Sequence, residues 1–369
     1  MTKKDLQSFD IRFPVAFGSG LATALLFVSA RQQGALVALL LAFLSPLPIM
    51  IATLGFGDGT GLGAAVVGAI TIAALVATAA TAAISAKLLI TAGLAGVIFA
   101  VFVTLPTWWL ARLAGSGREH VIVPFFRDGI TRLLQMARHR PLPETQAEPA
   151  RKLAYPFGDI LISAATIASV VVVVVALVLI YQQPSYEAGL AKAVAAVEPL
   201  ITEILGPREL PKSIDLALLS RLVVKAMPAT ASALAVLVLM ANLWLAGRVV
   251  QLSHRLAHPW PDIAHELRVP RSAAVIFFAC LGMAFLHGPA GLIASVAAAA
   301  LGLLFVLQGL AVVHDLSRGM KLRTSLLSGL YLALGLLMPW PLVIFAVIGL
   351  VEAGFSLRDR KAAAASKNI

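Results

Sequence analysis

The sequence predicts an all-α fold, a polytopic transmembrane helix bundle, and three observations carry that prediction. Hydrophobic residues make up 60% of the 369, charged residues only 13%, and mean hydropathy is +0.92, a balance no soluble domain can bury or keep dissolved. Apolar runs of roughly 16 to 25 residues recur along the chain, each about long enough to cross ~30 Å of hydrocarbon as a helix, the form that satisfies its own backbone in lipid. The basic residues are also unevenly shared between the two sides that such a threading defines.

Ten spans are expected, at about 15–30, 35–54, 62–85, 88–111, 159–181, 223–247, 272–287, 290–313, 325–338 and 342–357. The last two come from one apolar stretch with Pro339 and Pro341 in its middle, too long for one crossing at ~1.5 Å per residue; nine spans result if the prolines do not turn the chain. Ten place both termini on one side, and 22 of the 29 Lys and Arg fall on that side, which the positive-inside rule assigns to the cytoplasm. That asymmetry accounts for a net charge of +11 without a polyanion, and no aromatic-interleaved basic patch points to nucleic acid. The opening resembles a signal peptide, but Asp5 and Asp10 spoil its basic leader, and a retained first span is expected. Cys280, the single cysteine, lies inside a span and cannot form an internal disulfide.

Three regions follow: a four-span unit over 1–111, a cytoplasmic segment over 112–158, and a six-span unit over 159–369 with an external segment at 182–222. The cytoplasmic segment places Phe126, Ile130, Leu133, Leu134 and Ala137 on one helical face and Arg127, Asp128, Thr131, Gln135, Arg138 and His139 on the other, the pattern of a basic interfacial helix. A Pro-rich linker follows it. In the external segment Leu190, Val194, Val197, Ile201, Ile204 and Leu205 share a face, so this helix either rests on the membrane or caps a cavity between spans. Gly61, Ala65, Ala69, Ala73 and Ala77 form a small-residue stripe on the third span that lets other backbones approach closely, marking a central packing helix.

Candidate chemistry is sparse. Gly59, Gly61 and Ala64 fit a dinucleotide-loop spacing, but a span rather than a strand precedes them and no Lys-Ser/Thr pair follows, so a turn between spans two and three is expected, with Asp58 or Thr60 capping the next helix. His254, His258 and His265, with Asp262 and Glu266, invite a metal, yet Pro259 and Pro261 cut the segment and Arg255 and Arg268 disfavour a cation; no metal or other cofactor is expected. His314 and Asp315 are adjacent, and neighbours point to different sides of a helix. Ionisable groups lie near span ends, with Glu352 placed so close to Arg358 that deeper burial is open. An ion-coupled pump or intramembrane hydrolase needs such groups at depth, so no enzyme is expected. Pro46 and Pro48, by contrast, interrupt span two near its middle and loosen the carbonyls from Leu41 to Leu44, which need partners inside the protein or in a wet cavity.

The stretch "LSPLPIMIATLGFGDGTGLGAAVVGAI", with the terminal "IGLVEAGFSLRDR", resembles the YybS-like family of bacterial multi-pass membrane proteins. That resemblance implies an inner-membrane protein and carries no catalytic residues with it. A more distant architectural likeness is to the substrate-capture subunits of energy-coupling-factor transporters. The leading expectation is a permease-like or solute-capture subunit for a small molecule, bound by Ser45, Pro46, Pro48 and Thr53 with Asn242 and Gln308 opposite. The alternative is a scaffold that organises other envelope proteins. Expected partners are the lipid bilayer, a small solute and a membrane-protein partner, and no nucleic acid.

Overall fold

The computed structural model describes residues 3–29, 35–79, 85–116, 157–205, 215–256 and 258–366. The interfacial helix read over 119–140 and the Pro-rich linker after it lie outside the described residues. Among the described residues there are helices and turns but no strand. They divide into two units, with two long helices contributing to both.

The first unit holds α1 (Lys3–Ser29), α2 (Ala35–Leu44), α3 (Leu47–Phe56), α4 (Asp58–Ala79), α5 (Ala86–Phe99), a π-helical turn (Ala100–Thr104), α6 (Leu105–Ser116) and residues 238–252 of α9 (Leu216–Leu252). Helix α4 packs against α1, α3, α5 and α6. Small residues make those approaches close: Gly20 of α1 lies against the Ala64 carbonyl, and a Cβ at Gly96 of α5 would stand 2.7 Å from the Ala69 carbonyl. Gly61 and Ala65 are buried, while Ala69, Ala73 and Ala77 are half-buried.

The glycine track contains far less turn than its composition suggests. Only Gly57, at φ +95°, separates α3 from α4, in a conformation that favours glycine. Gly59, Gly61 and Gly63 are helical, and Gly61 leaves room for the Thr53 side chain. Asp58 opens α4 and pairs with Arg112 at 3.3 Å, and its carbonyl accepts from Trp108 Nε1 at 3.0 Å.

The second unit holds most of α7 (Phe157–Tyr181), α8 (Tyr186–Leu205), residues 216–237 of α9, α10 (Ile263–Glu266), α11 (Arg271–Met283), α12 (Pro289–Leu316), α13 (Arg323–Leu336), α14 (Trp340–Phe355) and α15 (Leu357–Ser366). Helices α12 and α14 cross backbone to backbone. A Cβ on Gly309 would strike the Phe345 carbonyl, and one on Gly349 would strike the Phe305 carbonyl, a reciprocal pair that the alanine stripe on α4 does not foreshadow.

Among the described residues seven helices, rather than ten, are long and apolar enough to cross a membrane. The expected spans at 272–287, 325–338 and 342–357 correspond to α11, α13 and α14, of 13, 14 and 16 residues. At ~1.5 Å per residue these reach only about 20–24 Å, short of the ~30 Å hydrocarbon layer. The chain does break between α13 and α14, at 337–339, where the prolines place it. Large apolar side chains such as Ile70, Ile90, Val178 and Leu332 point outward along these helices, an inside-out surface that suits lipid.

Candidate functional site

Three places gather polar groups among the described residues. In the first unit, α2 ends at Leu44 and α3 starts at Leu47, so Ser45 and Pro46 form the break and Pro48 sits in the first turn of α3. The Phe43 carbonyl, inside the stretch expected to be loosened, accepts from Asn242 Nδ2 at 2.7 Å, and the same nitrogen reaches the Val238 carbonyl at 2.8 Å. Thr53 donates to the Ile49 carbonyl at 2.7 Å. Ser45, Ile49, Met50 and Thr53 are all buried, so side chains fill the surroundings of the break. Asn242 Oδ1 is buried and has no partner among the described residues. Gln308 belongs to the second unit and is engaged there: its Oε1 accepts from the Val269 amide and its Nε2 donates to the Gly349 carbonyl at 2.8 Å.

The second place is the cluster around Arg358. Its guanidinium is fully buried beside Glu352, donating from Nε to Oε1 at 2.8 Å, from Nη1 to the Ala264 and His265 carbonyls, and from Nη2 to the Leu267 carbonyl. Ser356, at φ +51°, ends α14 and turns the chain so that Arg358 points back. Arg268 makes two 2.7 Å bonds to Asp359, which hold its guanidinium above the ordinary value, and Arg271 reaches the Ala353 and Gly354 carbonyls at the end of α14. Lys361 donates to the Leu316 carbonyl at the carboxyl end of α12. His314 meets Tyr331 at 2.8 Å, while Asp315 faces His265 and Arg318, so the adjacent pair is engaged on separate sides. The buried Arg358 guanidinium spends each of its three nitrogens on a carbonyl or carboxylate, the arrangement that makes a buried charge tolerable.

The third place lies at the amino end of α12. There α7, α8, α9 and the 284–288 turn border a cavity of about 420 Å³. The turn closes tightly because Gly288 takes φ +78° and Gly291 sits under the Leu286 carbonyl. Helix α8 reaches the cavity through a four-residue connection after α7: Ser185 Oγ caps it by accepting from the Ala188 amide, and Gly189 packs on the Ile180 backbone. Leu190, on the apolar face read from the sequence, lines the cavity together with Ala193. The walls are mainly apolar, with Ile180, Val224 and Leu292 among them, and the polar groups are Tyr186, Glu187, Arg221, Lys225, His287 and Ser295. Glu187 pairs with Arg221 at 3.4 Å. Lys225 and His287 have no hydrogen-bond or ion-pair partner among the described residues. Burial and the neighbouring Glu187 push the Tyr186 phenol up, so it stays a neutral donor. Pro228 deprives the Val224 carbonyl of its helical donor, and both residues face the cavity.

A family model described as predicted membrane protein (DUF2232) matches residues 156–352. The chain belongs to the DUF2232 family of predicted membrane proteins. It is therefore a multi-pass membrane protein. The family stretch begins just before α7 and contains every residue that lines the large cavity, together with Gln308 and Glu352, whereas Ser45, Pro46, Pro48 and Thr53 lie outside it. The chain matches no curated protein and no solved structure.

Of the cavity residues, sequence reasoning named only Leu190, on a helix face that either rests on the membrane or caps a cavity, and gave the polar lining no role. The available signal was a proline inside an apolar run, Pro228, shortly after the charged Lys225.

Proposed function

We propose that this protein is a solute-capture or permease-like subunit of the bacterial inner membrane, with its binding site in the cavity at the amino end of α12. The cavity itself carries the reading: at about 420 Å³ it falls within the ~300–1,000 Å³ range of small-molecule sites, with apolar walls and a few convergent polar groups. Its enclosure by family-matched residues favours it over the helix break, where the freed Phe43 carbonyl is already occupied and the neighbours are buried. On the ten-span threading read from the sequence, which counts the short helices α11, α13 and α14 as crossings, the positive-inside rule puts both termini in the cytoplasm and the cavity on the opposite side, with α8 beside it. The YybS-like resemblance supports the same membrane and no enzymatic role. The assembly alternative draws on residues 119–140, which lie outside the described residues, and on the external segment that contains α8.

The test is ligand-induced stabilisation. Purified full-length protein in mild detergent is melted against a panel of small solutes sorted by charge and polarity; a captured class raises Tm with concentration, because only the folded state binds it. Ser295→Leu, which fills the cavity from α12, should abolish the rise. A rise that persists in Ser295→Leu, or none with any class, would refute the assignment.

A further inference from the structure

We infer that the ligand of this cavity is an amphiphilic anion, a carboxylate or phosphate head on a hydrocarbon body, with Lys225 as its counter-charge. The inference rests on the capture reading above and adds the chemical class.

Charge bookkeeping around the cavity leaves one clear excess. Glu187 is matched by Arg221 across α8 and α9, whereas Lys225, one turn further along α9, faces the same space with no acid against it. The Lys225 side chain is exposed at the edge of the cavity, so an anion seated against the apolar walls would be the first opposite charge it meets. The remaining polar groups suit the same head. Tyr186 is held as a neutral donor, and the imidazole of His287 has no partner among the described residues. Gly288 offers α12 no side-chain cap, so the first amides of this 28-residue helix add potential of the same sign.

A cation would meet Lys225 uncompensated. A small, wholly polar solute would leave the larger, apolar share of the lining unsatisfied, and a neutral amphiphile would use the walls but not the charge. An anion with an apolar body uses both. The outward faces of α7 and α9 are themselves apolar, with Val178, Leu179 and Leu222 exposed, so a hydrocarbon tail can enter from the bilayer.

The experiment uses full-length protein in phosphatidylcholine nanodiscs, with tritiated dodecanoate as probe, scintillation proximity as readout, and empty nanodiscs subtracted. The expected result is saturable binding, displaced by dodecyl phosphate and much less effectively by dodecanol. Lys225→Ala should weaken dodecanoate about tenfold or more, the loss expected for a charge-assisted contact, and leave dodecanol unchanged. Lys225→Arg should retain binding, which separates lost charge from lost folding. Replacing part of the phosphatidylcholine with phosphatidylglycerol identifies the source: suppression of probe binding assigns the site to a bilayer lipid head, and no suppression assigns it to a free amphiphile. Equal binding of dodecanol and dodecanoate, both lost in Ser295→Leu, would overturn the anionic class while leaving capture intact. Unchanged dodecanoate affinity in Lys225→Ala would also overturn it. If neither probe binds saturably, the anionic class and the capture site fall together.

Discussion

The two ends of α12 differ in how they treat charge. At its carboxyl end Lys361 takes the last carbonyl, Arg358 is buried against Glu352 and three more carbonyls, and Arg268 is forked onto Asp359. At its amino end Lys225 and His287 face open volume with no partner among the described residues. Both regions lie in one unit and along one helix of 28 residues, about 42 Å at ~1.5 Å per residue. Saturated polar groups hold a loop and three helix ends in place. Unpaired ones beside a cavity are free to meet a ligand of opposite charge.

That contrast can be broken first at the saturated end. Arg358→Ala leaves Glu352 buried without its partner and frees three carbonyls, so a loss of about 3–5 kcal/mol is expected, seen as a large drop in Tm in detergent. The double variant Glu352→Leu/Arg358→Met should recover a substantial part of it, because the uncompensated charge is gone. A single variant that melts like the parent would show the cluster to be decorative.

A smaller effect is expected in the first unit. Asn242→Ala strips the Phe43 carbonyl of its donor beside the helix break, and about 1–3 kcal/mol should be lost. Undiminished stability would return the break to consideration as a wet site. The smallest effect belongs to the open end: Lys225→Ala should shift stability by no more than about 0.5 kcal/mol, since no contact is removed. A marked loss there would mean that Lys225 is structural after all.

The sequence carried the fold class and most helix positions, because spans declare themselves through length and apolarity. It placed the interruption at Pro46 and Pro48, one of which falls in the observed break at Ser45 and Pro46, and marked the carbonyls from Leu41 to Leu44 as loosened, yet could not say that Asn242, about two hundred positions away, would serve one of them. Its glycine track misled by composition alone: only Gly57 turns, and the other glycines there are helical. Glu352 was legible as an acid close to Arg358, but its burial depends on the left-handed Ser356 that folds α15 back, which no local pattern announces. The cavity was hidden for a similar reason. Tyr186, Lys225 and His287 come from three separate segments, and only packing brings them to one space.

Cysteine accessibility probes the contrast most directly. With Cys280 replaced by alanine, His287→Cys and Lys361→Cys are each exposed to a membrane-impermeant maleimide in intact and in permeabilised cells. His287→Cys should react in intact cells and Lys361→Cys only after permeabilisation. The reverse pattern, or a His287→Cys that stays inert in both, would contradict an open outer cavity set against a sealed inner end.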